Sequence, residues 1–242
     1  VSMAAEAALR VGAGLVSAAT QPVHIAGILS RRPEVMVHGV VSGQELEPLL
    51  GRASVLVAGP GLGRTPWSEQ LLQKATECDC AMVLDADALN ILADGRVVSR
   101  KKADHRILTP HPGEAARLLA CTVDEIQSDR FAAAEALQKT FGGVVVLKGA
   151  GTLIATNDRV FLSVEGNPGM ASGGMGDLLS GIIGGLLAQG FSLIDAAKTG
   201  VVLHNACADR AASRQGERGM IATDLLQFLP AMLNPRQTLA LR

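Results

Sequence analysis

Apolar residues along this chain follow two rhythms that take turns: short unbroken runs, and longer stretches that repeat every three or four positions. Ser2 precedes a stretch from Met3 to Val11 with Met3, Ala7, Ala8 and Val11 on one face, which predicts a capped helix ended by Gly12-Ala13-Gly14. Leu15 to Thr20 predicts a strand, Pro22 opens a helix to about Leu29, and Val35 to Val41 is a second strand. A helix from Gln44 to Gly51 feeds Ser54 to Gly59, SVLVAG. That run is of the kind buried on both faces of a parallel sheet, so it is expected to be a central strand.

The alternation continues. Trp67 to Cys78 is helical, AMVL ends just before Asp85 and Asp87, and a helix runs to Ala93. Arg106 starts a strand that leads through TPHP into a helix with Glu114 in its first turn. Val123 to Phe141 reads as one long amphipathic helix whose surface charges are Asp124, Glu125, Asp129, Arg130 and Lys139. Val144 to Ala155 gives two strands joined at Lys148-Gly149-Ala150-Gly151, and Val160 to Val164 a further one. The segment LLSGIIGGLLAQG carries Gly181, Gly184 and Gly185, costly in an isolated helix but useful where helices pack closely, so it is expected to lie centrally. Helices at about Leu193 to Ala212 and Thr223 to Leu233 close the chain. The elements imply an α/β fold.

Composition narrows the functions open to such a fold. With 242 residues and no low-complexity linker the chain is expected to form a single domain, residues 1–242. Hydrophobic residues make up 48% and charged residues 19%, with a net charge of −1, which argues against a nucleic-acid partner. Ile182 to Leu187 is interrupted by Gly184 and Gly185 and bounded by Ser180 and Gln189, so no membrane-spanning run is expected. Cys78, Cys80, Cys121 and Cys207 show neither zinc spacing nor a disulfide framework, and point to a reducing, cytoplasmic setting. Metal binding at the Cys78-x-Cys80 pair is a minor reading. The chain starts at Val1 without a signal-peptide pattern and reads as part of something longer.

Chemistry concentrates in a few loops. GNPGMASGGMGD, Gly166 to Asp177, has five glycines in twelve residues and runs straight into a helix, a combination that brings N–H groups and the positive helix end to an anion. Asp177, in the first turn, is placed to take a proton from a hydroxyl beside a bound phosphate. An ordinary glycine turn capped by aspartate accounts for the local pattern equally well. GPGLGR, Gly59 to Arg64, allows backbone to approach a ligand at a strand's carboxyl end or makes a tight turn, and it lacks dinucleotide-fingerprint spacing. Asp85 is the better functional candidate of the LDADALN pair, Asp87 the better helix cap. His111, held between Pro110 and Pro112 with Glu114 three residues on, reads as functional, while His24, His38, His105 and His204 stay unassigned. Lys148 leaves a buried strand into glycines, where it sets a point charge on a phosphate or sits exposed on a hairpin. The Gly216 to Gly219 loop is a further candidate neighbour of a nucleotide.

Taken together, GPGLG, LDADALN, TPHPGE (Thr109 to Glu114), LKGAGT (Leu147 to Thr152) and GNPGMASGGMGD resemble, in this order and over nearly the whole chain, the NAD(P)H-hydrate dehydratase domain of the ribokinase-like superfamily. The resemblance implies a three-layer α/β/α fold around a mostly parallel sheet. It implies ADP-dependent dehydration of the S epimer of hydrated NADH or NADPH, with magnesium, AMP and phosphate as products, against the rival of a vitamin-precursor kinase or a non-catalytic nucleotide-binding module. By this resemblance Asp177 is the catalytic base and a substrate contact. Gly61 and His111 also contact the hydrated nicotinamide, and Lys148, Gly149, Ala150, Gly151, Thr152 and Gly176 bind the adenine nucleotide. His111 stands where related kinases often carry asparagine, which favours the dehydratase branch. Members of the family normally begin with a further strand and glycine-rich loop ahead of Met3, absent from this sequence, and in many bacteria an epimerase half precedes the domain. A homo-oligomer, up to a tetramer, is the expected assembly.

Overall fold

The computed structural model describes residues 1–234. In chain order its elements are α1 (Ser2–Val11), β1 (Ser17–Thr20), α2 (Ile25–Arg31), β2 (Met36–Gly39), α3 (Gly43–Leu50), β3 (Val55–Ala58), α4 (Pro66–Ala75), β4 (Ala81–Leu84), α5 (Ala86–Asp94) and β5 (Arg106–Leu108). They continue with α6 (Pro112–Leu119), α7 (Val123–Ser128), α8 (Arg130–Phe141), β6 (Val144–Leu147), β7 (Thr152–Ala155), β8 (Val160–Ser163), α9 (Met175–Leu187), α10 (Leu193–Gln215) and α11 (Leu229–Leu233). Six strands form one sheet in the order β3-β4-β5-β6-β7-β8, parallel as far as β6 and antiparallel over the last two. β1 and β2 make a separate parallel pair, with Ser17 opposite Met36.

The period-two geometry of a strand sorts its side chains between two cores. Met82, Leu84, Leu108, Val145 and Leu147 face one core with α5, α6 and α8, while Val83, Ile107, Val144 and Val146 face the other with α9 and α10. Helices therefore cover both faces of the sheet, the three-layer arrangement that alternating α and β elements imply.

α9 is the central helix its glycines suggest. Ile182 and Ile183 are fully buried, and a Cβ on Gly181 or Gly185 would overlap the α1 backbone at Ala4 or the Val11 side chain. Bare Cα atoms at these positions let α1 lie directly on α9, with Gln189 Nε2 donating to both the Val11 and Gly185 carbonyls at 3.0 and 2.8 Å.

Four expectations are corrected. β3 is an edge strand of the six-stranded sheet, and Val57 stays partly exposed beside Gly184; an apolar run reports burial of its faces but not which strands flank it. The stretch from Val123 to Phe141 is two helices, because Asp129 (φ −147°, ψ 87°) leaves helical geometry and its carboxylate accepts the Ala132 N–H at 2.9 Å. Arg130 consequently turns inward instead of lying on a surface face. The closing helix is a 3-10 turn at Ala222–Leu225 followed by short α11, which has Pro230 in its first turn, where a missing N–H costs nothing.

Candidate active site

The carboxyl ends of β3, β4, β5 and β6 meet the N-terminus of α9 at one rim of the sheet. β4 turns abruptly into α5 through Asp85 and Ala86, the latter at φ 46°, uncommon for a residue with a Cβ. Asp85 occupies the cap position without capping its own helix. Its carboxylate, 1% exposed, instead accepts the Lys148 ammonium at 2.7 Å on one oxygen and the Ser180 hydroxyl at 2.6 Å on the other. Burial works against the charge on Asp85, yet Lys148, Ser180 and Thr109 together hold its carboxyl below the ordinary carboxylate range.

Lys148 thus reaches the site already paired, with Glu114 a further 3.7 Å away. Its ammonium also lies 3.1 Å from where a Cβ on Gly176 would sit, so the lysine rests on the first turn of α9 beside Asp177. The two groups, distant in sequence, share one gap. Asp177 is half-buried, and desolvation pushes its carboxyl above the usual range; Asp85 and Asp87 add to that rise, while Lys148 opposes it. α9 begins at Gly174 with no side-chain cap, which leaves its first N–H groups for a ligand.

β5 delivers the other wall. His111 caps α6, its Nδ1 accepting from Gly113 N–H at 3.0 Å, while the His111 backbone N–H donates to Glu114 Oε2 at 2.8 Å. That reciprocal cap fixes the ring, whose Nε2 lies 3.4 Å from Glu114 Oε1. Burial lowers the imidazole pKa, Lys148 and Arg117 lower it further, and Glu114 pulls the other way. His111 is therefore a neutral hydrogen-bonding group at neutral pH.

On the β3 side, Gly59 (φ 124°) packs so closely on β4 that a Cβ there would overlap the Asp85 carbonyl oxygen. Asp87 does not cap α5; its carboxylate accepts Gly63 N–H at 2.8 Å and ties the glycine loop down. Gly61 (φ 66°) lies on this same glycine loop.

The Gly166–Asp177 loop is braced from α10: Asp209 accepts Gly166 N–H at 3.1 Å and Asn167 Nδ2 at 2.8 Å, and Asn205 donates to the Glu165 carbonyl at 3.1 Å. The Gly216–Gly219 loop packs on its outer turn, where a Cβ on Gly169 would lie 2.7 Å from the Glu217 carbonyl oxygen.

The structure therefore gathers Asp177, Gly176, Lys148 and His111 at one rim and sets Gly61 on the neighbouring loop. Gly149 to Thr152 form the turn between β6 and β7. Ser180 and Thr109 escaped sequence reasoning. Ser180 lies three residues after Asp177, hence on the same helix face, and that spacing was the available signal.

A ribokinase-like α/β protein is the class this fold and rim define. The chain belongs to the NAD(P)H-hydrate dehydratase family, whose model matches residues 1–231. It is 53% identical over 236 residues to the bifunctional NAD(P)H-hydrate repair enzyme of Coxiella burnetii, covering 97% of this chain and 48% of that protein. It is 42% identical over 212 residues to the ADP-dependent (S)-NAD(P)H-hydrate dehydratase of Neisseria meningitidis, covering 86% of this chain and 71% of that one. The structure of the ADP/ATP-dependent NAD(P)H-hydrate dehydratase of Bacillus subtilis, co-crystallised with ATP and Mg2+, superposes with a TM-score of 0.81 at 29% identity over 95% of this chain and 82% of that one. The chain spans about half the length of the bifunctional relative.

Proposed function

We propose that this chain catalyses ADP-dependent dehydration of the S epimer of hydrated NADH or NADPH. The observation that carries the reading is the convergence of Asp177, raised in pKa, with the Lys148–Asp85 pair at the glycine-rich start of α9. The substrate carries a hydroxyl on a ring carbon next to nitrogen, and hydroxide is a poor leaving group at neutral pH. Asp177 accepts the hydroxyl proton as its oxygen attacks the terminal phosphorus of ADP, and AMP departs. The N–H groups of Gly149 to Gly151 and of the first turn of α9 take up charge on the phosphates. The ring nitrogen's lone pair then expels phosphate, the resulting iminium sheds a proton from the adjacent carbon, and the dihydropyridine is restored. Gly61 and His111 position the nicotinamide.

Asp85, Asp87, Glu114 and Asp177 share this cleft with the ammonium of Lys148, which Asp85 already neutralises, so a polyphosphate needs a countercharge to enter. Among the described residues no three acidic, histidine or cysteine side chains converge on a metal position. The donors fit magnesium brought in by the nucleotide: Glu114 would help to hold it, and it would neutralise phosphate charge there.

The same reading makes this chain the dehydratase part of a bifunctional repair protein with an epimerase half, in keeping with its share of the Coxiella relative, and a homo-oligomer. Free thiols at all four cysteines fit a reducing cytoplasm, and among the described residues no helix is long and apolar enough to cross a membrane. Incubation with hydrated NADPH, ADP and magnesium is expected to restore dihydropyridine absorbance with AMP and phosphate formed in equal amounts. A stable phosphorylated product without that absorbance would place the chain among kinases instead.

A further inference from the structure

From Leu147 to Ala150 every backbone carbonyl in the turn between β6 and β7 is occupied. Arg130 supplies most of the donors: Nη2 bonds the carbonyls of Leu147 and Lys148 at 3.3 Å each, and Nη1 bonds that of Ala150. Thr152 Oγ1 takes the remaining one, Gly149 O, at 3.3 Å. The amides behave oppositely. Lys148 N–H donates to the Pro110 carbonyl at 2.8 Å, away from Arg130, and the N–H groups of Gly149, Ala150 and Gly151 have no acceptor among the described residues.

A trans peptide unit holds its C=O and N–H in opposite directions. Pulling the Lys148 and Ala150 carbonyls onto one guanidinium therefore turns the N–H groups of Gly149 and Gly151 away from Arg130. Gly149 (φ 143°) and Gly151 (φ 71°) take positive-φ backbone that favours glycine, which is what lets the turn lay its carbonyls on Arg130. A Cβ on Gly149 would come within 2.9 Å of Arg130 Nη2, so the guanidinium would have to shift to admit one. The planar fork is suited to this task as an ammonium is not, because it serves several carbonyls at fixed angles.

We infer that Arg130 is a positioning residue for phosphate binding: its guanidinium holds three carbonyls of the Leu147–Gly151 turn on one side, so that the turn presents its amides to the nucleotide before the nucleotide arrives. The inference rests on the proposed nucleotide role of that turn. Arg130 acts through the backbone it orders.

The test compares binding of ADP and of NADPH by titration calorimetry in the wild-type chain, Arg130→Ala and Arg130→Lys, with a thermal melt of each. Both variants are expected to weaken ADP at least tenfold while NADPH affinity stays within about twofold, and free guanidinium, but not methylammonium, is expected to restore ADP binding to Arg130→Ala. Should Arg130→Ala not fold, Arg130→Lys carries the decision through the same ADP-to-NADPH ratio. Wild-type ADP affinity in a folded variant, or equal losses for both ligands, would overturn the positioning role. A wild-type chain that binds NADPH but not ADP would instead overturn the nucleotide assignment of the turn.

Discussion

Asp177→Asn isolates the proton acceptor. Asparagine keeps the volume of the aspartate and the start of α9 but cannot take a proton. The surroundings set the scale of the loss. Desolvation and the neighbouring Asp85 and Asp87 carboxylates raise the pKa of Asp177, which makes it a stronger base than an exposed aspartate. General-base assistance contributes about 10²- to 10⁴-fold, so kcat should fall by that factor, equivalent to about 3 to 5 kcal/mol of barrier. Nucleotide affinity should hold or rise slightly, because one negative charge leaves a cleft that already contains three others. Wild-type kcat should fall below the raised pKa of Asp177, where the base is protonated, whereas Asp177→Asn should lose that acid limb. Stopped-flow absorbance of the restored dihydropyridine gives kcat against pH, and calorimetry gives ADP affinity. A variant with kcat within about threefold of wild type would refute the assignment of Asp177 as base.

Three other perturbations follow from the same geometry. Asp85→Asn leaves Lys148, whose side chain is 19% exposed, with only the looser Glu114 pair at 3.7 Å; denaturant unfolding should show a loss below the roughly 3 to 5 kcal/mol of a buried charge left wholly unpaired. His204 is fully buried with its pKa pushed down to about 4, so the unfolded chain binds its proton first as pH falls; stability should decline from about pH 6.5 to 4 by about 3 kcal/mol, and His204→Gln should flatten that slope in pH-dependent unfolding. Gly181→Ala inserts a methyl group where α1 lies on α9, and should lower stability by at least about 1 to 3 kcal/mol in thermal denaturation, with a normal melt refuting the close packing.

Much of this molecule is legible in its sequence because its parallel strands are buried on both faces. Runs such as VVVL and AMVL announce themselves, and glycine-dense loops follow several of them at the rim where ligands bind. Asp177 and Lys148 each read from the sequence as phosphate-facing groups, and the Lys148 ammonium lies 3.1 Å from where a Cβ on Gly176, the neighbour of Asp177, would sit. What stayed hidden depends on partners distant in sequence. Arg130 sits in a stretch whose periodicity reads as a continuous solvent-facing helix, and its inward turn needs the Asp129 break and a hairpin beginning 17 residues away. The edge position of β3 and the Asp85–Ser180 link across 95 residues are set by pairing in space, which local pattern does not encode.

The contact between Gly59 and the Asp85 carbonyl yokes the shape of the cleft to its charge. Any side chain at residue 59 would displace the same aspartate that neutralises Lys148, so one substitution would disturb recognition and phosphate chemistry together. Two positions further along the constraint differs: a Cβ on Gly61 would come within 4 Å of no atom of β4 or α5. Its positive φ of 66° restricts the choice of residue there to those that tolerate left-handed backbone, asparagine foremost. Redirecting this scaffold to a differently shaped ring therefore starts at residue 61, with Gly59 kept as the fixed hinge pin.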